Sequence, residues 1–124
     1  MIILKDYYEI LHLHQALLEG KFSDNPNNKL VSGSPNVAKI CNIIVDELID
    51  LNENNEKKEK WEKWRKINSH NQFFKIALNN AKKAINHWGT MSNEAKIDSI
   101  KNYLSPFVCD EEDLKVFLDE INKC

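Results

Sequence analysis

The sequence predicts an all-α fold: a compact bundle of five or six helices in a single domain, residues 1–124. Proline and glycine are scarce, with three of each in the chain, so few positions interrupt a helix. Apolar residues recur at spacings of three and four, and no stretch alternates apolar and polar residues as a half-buried strand does. A chain of 124 residues has the length of one domain and can bury a core. These patterns leave both orthogonal and up-down packing open.

The composition is that of an ordinary soluble protein, with 42% hydrophobic and 29% charged residues. The formal net charge is -2, so the molecule as a whole does not attract nucleic acid or an anionic membrane. No apolar run approaches the roughly 18 residues that cross a bilayer, and Asp6 and Glu9 lie where a signal peptide keeps an apolar stretch. We therefore expect a soluble, cytoplasmic protein without a membrane or nucleic-acid partner.

The first helix is predicted over Leu4–Leu18, ending near Gly20, because glycine is favoured just beyond a helix C-terminus. A loop over residues 21–33 follows, with turn-forming residues at Asp24-Asn25-Pro26-Asn27-Asn28. Loops this long in compact domains are either functional or disordered. This loop is therefore one of the places where a site is expected.

The second helix has the strongest start signal in the chain. Ser34 is a favourable N-cap, and Pro35 follows at the first helical position, where a missing N–H costs nothing. One apolar stripe continues along the helix, made of Val37, Ile40, Cys41, Ile44, Val45, Leu48 and Ile49. This stripe predicts a core helix.

Four more segments complete the prediction. Residues 53–66 repeatedly place Glu four residues before Lys, the favourable order on a helix surface. Ser69 opens an S-x-x-Q capping box, and its helix carries an apolar face made of Phe73, Phe74, Ala77, Ala81, Ala84, Ile85 and Trp88. A helix from Ser92 to Leu104 ends at Ser105-Pro106, and the last helix starts near Asp110 with acidic residues in its first turn.

His12 and His14 lie two residues apart in the first predicted helix. Side chains at that spacing diverge by about 200°, so the two imidazoles do not share one metal ion. His14 lies in the apolar arc with Tyr7, where it is either a hydrogen-bonded core residue or part of a pocket between the first two helices. His12 is either a surface imidazole or part of a polar recognition edge with Tyr8 and Glu19.

The clearest local pointer to a ligand is the stretch VSGSP, which contains Ser32, Gly33 and Ser34. A helix N-terminus offers unpaired N–H groups and partial positive charge, glycine allows close approach, and the serines add hydroxyls. Lys21, Lys29 or Lys39 could supply positive charge. The pattern predicts an anion site for a nucleotide-like phosphate, although plain helix capping explains the same residues.

Trp61, Trp64 and Arg65 lie together in a charged helix. Aromatic and basic residues in combination can bind nucleic acid, but the interleaved glutamates oppose that reading. Tryptophan and arginine are also common anchors of protein interfaces. We therefore interpret these residues as the edge of the core or as a partner-binding surface.

Metal chemistry has one candidate arrangement, the spacings Asp6-x-x-Glu9 and Glu47-x-x-Asp50. They resemble those of the all-α nucleotide pyrophosphohydrolases of the MazG type, whose E-x-x-E and E-x-x-D helices gather Mg²⁺. The chain departs from that pattern at Asp6, and the resemblance is confined to these spacings. It implies a metal-dependent phosphohydrolase with the two pairs meeting across a subunit interface, although helical geometry turns these carboxylates mostly outward.

The three cysteines, Cys41, Cys109 and Cys124, are widely spaced and form no C-x-x-C pair. Neither a disulfide framework nor a zinc site is indicated, and Cys41 is expected as a reduced thiol in the core. The chain also offers no arrangement of nucleophile and base that the sequence places together. No catalytic residue, metal ligand or cofactor is assigned.

These observations favour a small non-enzymatic binding protein of the inhibitor, immunity, adaptor or ligand-sequestering type. It either docks on a protein partner or captures a small anionic ligand at the Ser34 helix N-terminus. The alternative is the phosphohydrolase that the carboxylate spacings imply. Ile43 lies on the polar side of the second helix beside Glu47 and Asp50, which favours a homo-oligomer.

Overall fold

The computed structural model describes residues 1–26, 28–84 and 87–123, and within them the all-α prediction is confirmed. The predictions made for Asn27, Ile85 and Cys124 lie outside the described residues. Six helices are present in the described part of the chain: α1 (Tyr7–Lys21), α2 (Pro35–Leu51), α3 (Asn55–Arg65), α4 (Gln72–Lys82), α5 (Asn93–Leu104) and α6 (Glu111–Asn122). In these ranges, none of the helices has the length and apolar character needed to cross a membrane.

Three of the predicted helix starts are confirmed by their capping hydrogen bonds. The side chains of Ser34, Ser92 and Asp110 accept from the backbone N–H three residues on. The capping box predicted at Ser69 is wrong. Asn71 caps α4 instead, accepting from the Phe73 N–H at 2.8 Å, and the Ser69 N–H donates to Asp113 at 3.2 Å.

The start of α1 and the ends of two helices differ from the prediction. Helix α1 begins at Tyr7, three residues after the predicted Leu4. Helix α1 runs through Gly20 to Lys21, because the Lys21 side chain reaches partners on another helix that hold the last turn in place. Helix α4 ends at Lys82, although its apolar pattern continues to Trp88. The Trp88 ring instead turns back, and its Nε1–H donates to the carbonyl of Ala81 at 2.9 Å.

Helix α2 lies at the centre of the packing, in contact with α1, α3 and α5, while α5 also packs on α4 and α6. Cys41 is buried in α2 as a free thiol, as predicted, and burial raises its pKa. Ile40, predicted in the same stripe, is exposed. The main core is built of the buried residues Phe22, Ile67, Phe74, Ala77, Ala81, Trp88, Ile100, Tyr103, Leu104, Phe107, Phe117 and Ile121.

Candidate ligand-binding site

A cavity of about 810 Å³ opens between the loop that precedes α2, the C-terminal half of α4, and α5. Its volume is within the range of small-molecule sites. The lining residues are Asn25, Pro26, Lys29, Leu30, Ser32, Gly33, Ser34, Pro35, Asn80, Lys83, Ala84, His87, Ser99 and Tyr103. The structure therefore brings Ser32, Gly33 and Ser34, the three loop residues of the predicted anion site, to one cavity.

The charged residues of the cavity wall are basic. They are Lys29 and Lys83, and the described lining residues include no aspartate or glutamate. A hydrogen bond to the loop holds the Lys83 side chain in position, since its Nζ donates to the Asp24 carbonyl at 2.8 Å. The cavity thus has a positive bias although the chain carries a net charge of -2.

The N-terminus of α2 offers fewer free N–H groups to a ligand than its position beside the cavity suggests. Ser34 Oγ accepts from the Val37 N–H at 3.2 Å, which satisfies that amide, and Pro35 has no N–H to offer. The capping side chain does not take the N–H of Asn36, but Asn36 does not line the cavity. The Ser34 hydroxyl can still donate its own hydrogen to a ligand.

The wall formed by α4 contains a buried polar network. Asn80 is 7% exposed, and its Nδ2 donates to the Ser23 carbonyl at 3.0 Å and to Ser32 Oγ at 3.2 Å. Ser32 Oγ in turn donates to the Lys21 carbonyl at 3.2 Å. Asn80 Oδ1 is buried and has no hydrogen-bond partner among the described residues.

Gly33 and Tyr103 pack closely against each other in the cavity wall. A Cβ atom added at Gly33 would lie 2.5 Å from Tyr103 Cζ, so glycine is required here for close packing. The backbone of Gly33 does not have positive φ, and the requirement is therefore steric. The Tyr103 ring is itself fixed against Trp88, with the ring centroids 5.9 Å apart, and burial raises the pKa of its hydroxyl.

Lys21, predicted as a source of charge for the ligand, lies beneath this wall. It is 1% exposed, and its Nζ donates to the carbonyls of Asn102 and Tyr103 at 2.7 Å each. These carbonyls belong to the last turn of α5, where the helix leaves them without backbone partners and its dipole favours a cation. Burial lowers the pKa of Lys21 to about 7.

The other residues predicted to bind the ligand lie elsewhere. Tyr8 and His12 are exposed on α1, and Glu19 lines a second cavity of about 400 Å³ with Phe22 and Phe73. Tyr7 packs against the small cluster formed by Ile10, Ile44 and Leu48. The structure brings none of these four side chains to the 810 Å³ cavity.

His14 lies at the contact between α1 and α3. It is buried, and its ring packs edge-on against Trp61 and Trp64, with centroids 5.4 and 5.2 Å away. Desolvation by burial lowers its pKa. Trp64 also contacts Phe107, so this tryptophan belongs to the core edge, while docking of a protein through the partly exposed Trp61 remains a prediction.

Arg65, the third residue of the predicted partner surface, is bound within the chain. Its Nε donates to the Pro106 carbonyl at 2.8 Å, Nη1 pairs with Asp46 at 2.6 Å, and Nη2 donates to Asn42 Oδ1 at 3.2 Å. The side chain is 17% exposed. Arg65 thus connects α2, α3 and the segment before α6.

We expect Arg65→Met to lower the free energy of unfolding by about 2–4 kcal/mol, because partly buried acceptors on Pro106 and Asn42 lose a charged donor. Urea unfolding followed by circular dichroism measures this loss. Lys63→Met is the matched control, since Lys63 is exposed on the same helix. Equal stability of the two variants would contradict a structural role for Arg65 and would favour the hypothesis that it binds a partner.

The carboxylates of the alternative enzymatic reading, Asp6, Glu9, Glu47 and Asp50, are all exposed. Across residues 1–26, 28–84 and 87–123, no three side chains of His, Cys, Asp or Glu come together as metal ligands would. The phosphohydrolase hypothesis requires a second subunit, and it stays a prediction.

Sequence reasoning missed Asn80, Lys83, His87, Ser99 and Tyr103 as site residues. A signal existed for Asn80, which lies three residues after Ala77 and directly before Ala81 on the buried stripe of α4. A polar residue at such a position must find partners in the interior. The other four lie on α5 or near the end of α4, and only tertiary packing brings them to the loop before α2.

Comparisons with known proteins add no relative: no family model, curated protein or solved structure matches the chain.

Proposed function

We propose that the chain is a non-enzymatic binding protein that captures a small organic anion in the 810 Å³ cavity. The observation that carries this proposal is that Lys29 and Lys83 line one cavity whose described lining is free of carboxylates. Lys29 and Lys83 are both exposed at the cavity, and two cations without a neighbouring carboxylate attract anions in a manner that weakens with added salt.

The other lining residues indicate which chemical groups the ligand carries besides its anionic group. Hydroxyls of Ser34, Ser99 and Tyr103 can bind oxygen atoms of a phosphate or sugar, while Leu30 and Ala84 offer apolar surface. Sites for organic ligands combine such apolar surface with a few fixed polar groups. A nucleotide or sugar phosphate meets these demands better than a simple inorganic anion.

A thermal-shift panel tests the proposal with nucleoside phosphates, sugar phosphates and small dicarboxylates. A bound anion stabilises the folded chain, by about 2.7 kcal/mol at a concentration of 100 Kd, so we expect a rise of several degrees in Tm. The rise should shrink in high salt, because screening weakens the attraction. No response from any compound at millimolar concentration would contradict the proposal.

The double variant Lys29→Gln/Lys83→Gln should bind the responding compound about tenfold more weakly, since each exposed lysine contributes up to about 1 kcal/mol to the attraction. Lys75→Gln is the matched control, because Lys75 is exposed on α4 and does not line the cavity. Calorimetric titration measures both affinities. Conversion of the bound compound to product during the titration would contradict the non-enzymatic part of the proposal.

A further inference from the structure

We infer that two copies of the chain pair through the outer face of α2, with the two α2 helices antiparallel. This outer face is the exposed strip formed by Asn36, Lys39, Ile40, Ile43, Glu47 and Asp50. The other five residues lie three, four or seven positions from Ile43, so all six share one side of the helix. None of them lines the 810 Å³ cavity, and the inference therefore goes beyond the proposed function and does not depend on it.

The centre of the outer face is apolar although it is open to solvent. Ile43 is 54% exposed and Ile40 is 47% exposed. The opposite side of α2 packs into the protein through buried residues such as Val45 and Leu48. A helix with apolar residues on opposite sides is typical of one that is covered on both. Packing Ile40 and Ile43 against a second molecule would remove their surface from water and so favour association.

The charges of the outer face follow an order along the helix. Lys39 lies toward the N-terminus of α2, and Glu47 and Asp50 lie toward its C-terminus. This order is the reverse of the one that the helix dipole favours. The three side chains form no ion pair or hydrogen bond with other described residues. Their charges therefore bring no ion pair to the single chain and can act on a second molecule.

A two-fold axis at Ile43 makes this face complementary to itself. In an antiparallel pair each residue meets those about equally far beyond the axis, so Lys39 of one copy lies opposite Glu47 and Asp50 of the second copy. The contact occurs twice, and each acidic helix end meets the positive N-terminal end of the other helix. A parallel pair would place lysine against lysine and carboxylate against carboxylate, which repulsion disfavours. The charges thus favour a second copy as the partner and the antiparallel arrangement.

The pair should be weak and reversible. Helix α2 has 17 residues and is about 25 Å long, so one helix pair buries less surface than the roughly 1,600 Å² of a standard stable interface. We expect a dissociation constant of about 10–100 µM. Sedimentation equilibrium of the full chain between about 5 µM and about 1 mM should show the average mass rise from that of one chain toward that of two. A monomer mass across this range would overturn the inference.

Ile43→Glu should raise the dissociation constant at least about tenfold, because it brings two carboxylates together at the axis and removes the central apolar contact. Glutamate is a good helix former, and Ile43 is exposed, so the variant should keep the helix content that circular dichroism measures. Val116→Glu is the matched control, since Val116 is an apolar residue of α6 that is 43% exposed. It should associate as the wild type does, and equal association of the two variants would overturn the inference.

A mixing experiment tests the antiparallel arrangement. Lys39→Glu alone and Glu47→Lys/Asp50→Lys alone should each dimerise about tenfold more weakly than the wild type, because like charges meet at both contacts. An equimolar mixture should regain the wild-type association, since opposite charges then meet at both contacts. All three substitutions follow the preference of the helix dipole, so α2 should be kept in both variants. A mixture no heavier than its separate components would overturn the inference.

Discussion

The free energy of unfolding should rise by about 3 kcal/mol between pH 6 and pH 9 through Lys21 alone. Burial lowers the pKa of this side chain to about 7 from its ordinary value of 10.5. The unfolded chain therefore binds more protons than the folded chain between these pH values, so stability increases with pH in that window. Urea unfolding at pH 6, 7, 8 and 9 measures the slope.

Other buried groups set the limits of this window. The lowered pKa of His14 acts in the same direction, because the unfolded chain takes up its proton first as the pH falls below about 6.5. Burial raises the pKa of Cys41 and of Tyr103, and the folded chain then holds their protons longer than the unfolded chain. Stability should therefore stop rising above about pH 9, where these two groups oppose Lys21.

Lys21→Met should remove the Lys21 part of this slope. At pH 9 the variant should be less stable than the wild type by about 2–4 kcal/mol, since the carbonyls of Asn102 and Tyr103 lose their donor. The difference should shrink toward pH 6, where the wild type holds a costly buried ammonium. Lys75→Met, at an exposed position, should keep the wild-type slope, and an unchanged slope in Lys21→Met would contradict the assignment.

Gly33→Ala should destabilise the chain by about 1–3 kcal/mol and weaken ligand capture. The added methyl group would lie 2.5 Å from Tyr103 Cζ, and moving a packed ring out of its place costs free energy in this range. The displaced ring also changes the shape of the cavity that it lines. Unfolding in urea and titration with the responding phosphate measure the two effects separately.

Gly20→Ala is the matched control, because nothing lies within 4 Å of the added Cβ and the residue is inside α1. It should stabilise the chain slightly, by about 0.5–1 kcal/mol. In a Tyr103→Leu background the cost of Gly33→Ala should largely disappear, since the colliding ring is gone. An undiminished cost there would show that another contact, and not the Tyr103 ring, requires glycine.

The helical framework was largely predictable because its signals are local. Ser34, Ser92 and Asp110 cap their helices as predicted, since a cap involves only the next three residues. The errors arose where two nearby residues could cap the same helix, and where a side chain packed back on the helix before it. Asn71 displaced Ser69 as the cap of α4, and the apolar pattern up to Trp88 did not show that its ring would fold back onto Ala81.

The candidate site was predictable only in part, because only some of its residues carry a local sequence signal. Ser32, Gly33 and Ser34 carried a local signal of their own, and the structure places all three in the cavity wall. Lys83 and Tyr103 come from distant parts of the chain and had none. Lys21 was expected to offer its charge to a ligand, but its Nζ donates instead to the carbonyls of Asn102 and Tyr103 at the end of α5.

The sequence by itself determined that the chain is helical, where three of the six described helices begin, and that the loop before α2 leads into a helix N-terminus. Only the tertiary structure decided which side chains share a cavity with that loop, which lysine is buried, and which amide oxygen finds no hydrogen-bond partner in the described part of the chain. Helix signals act over one turn of chain, whereas a site depends on contacts between residues as far apart as Ser32 and Tyr103. Such contacts follow from the packing of the helices, and no local sequence pattern predicts them.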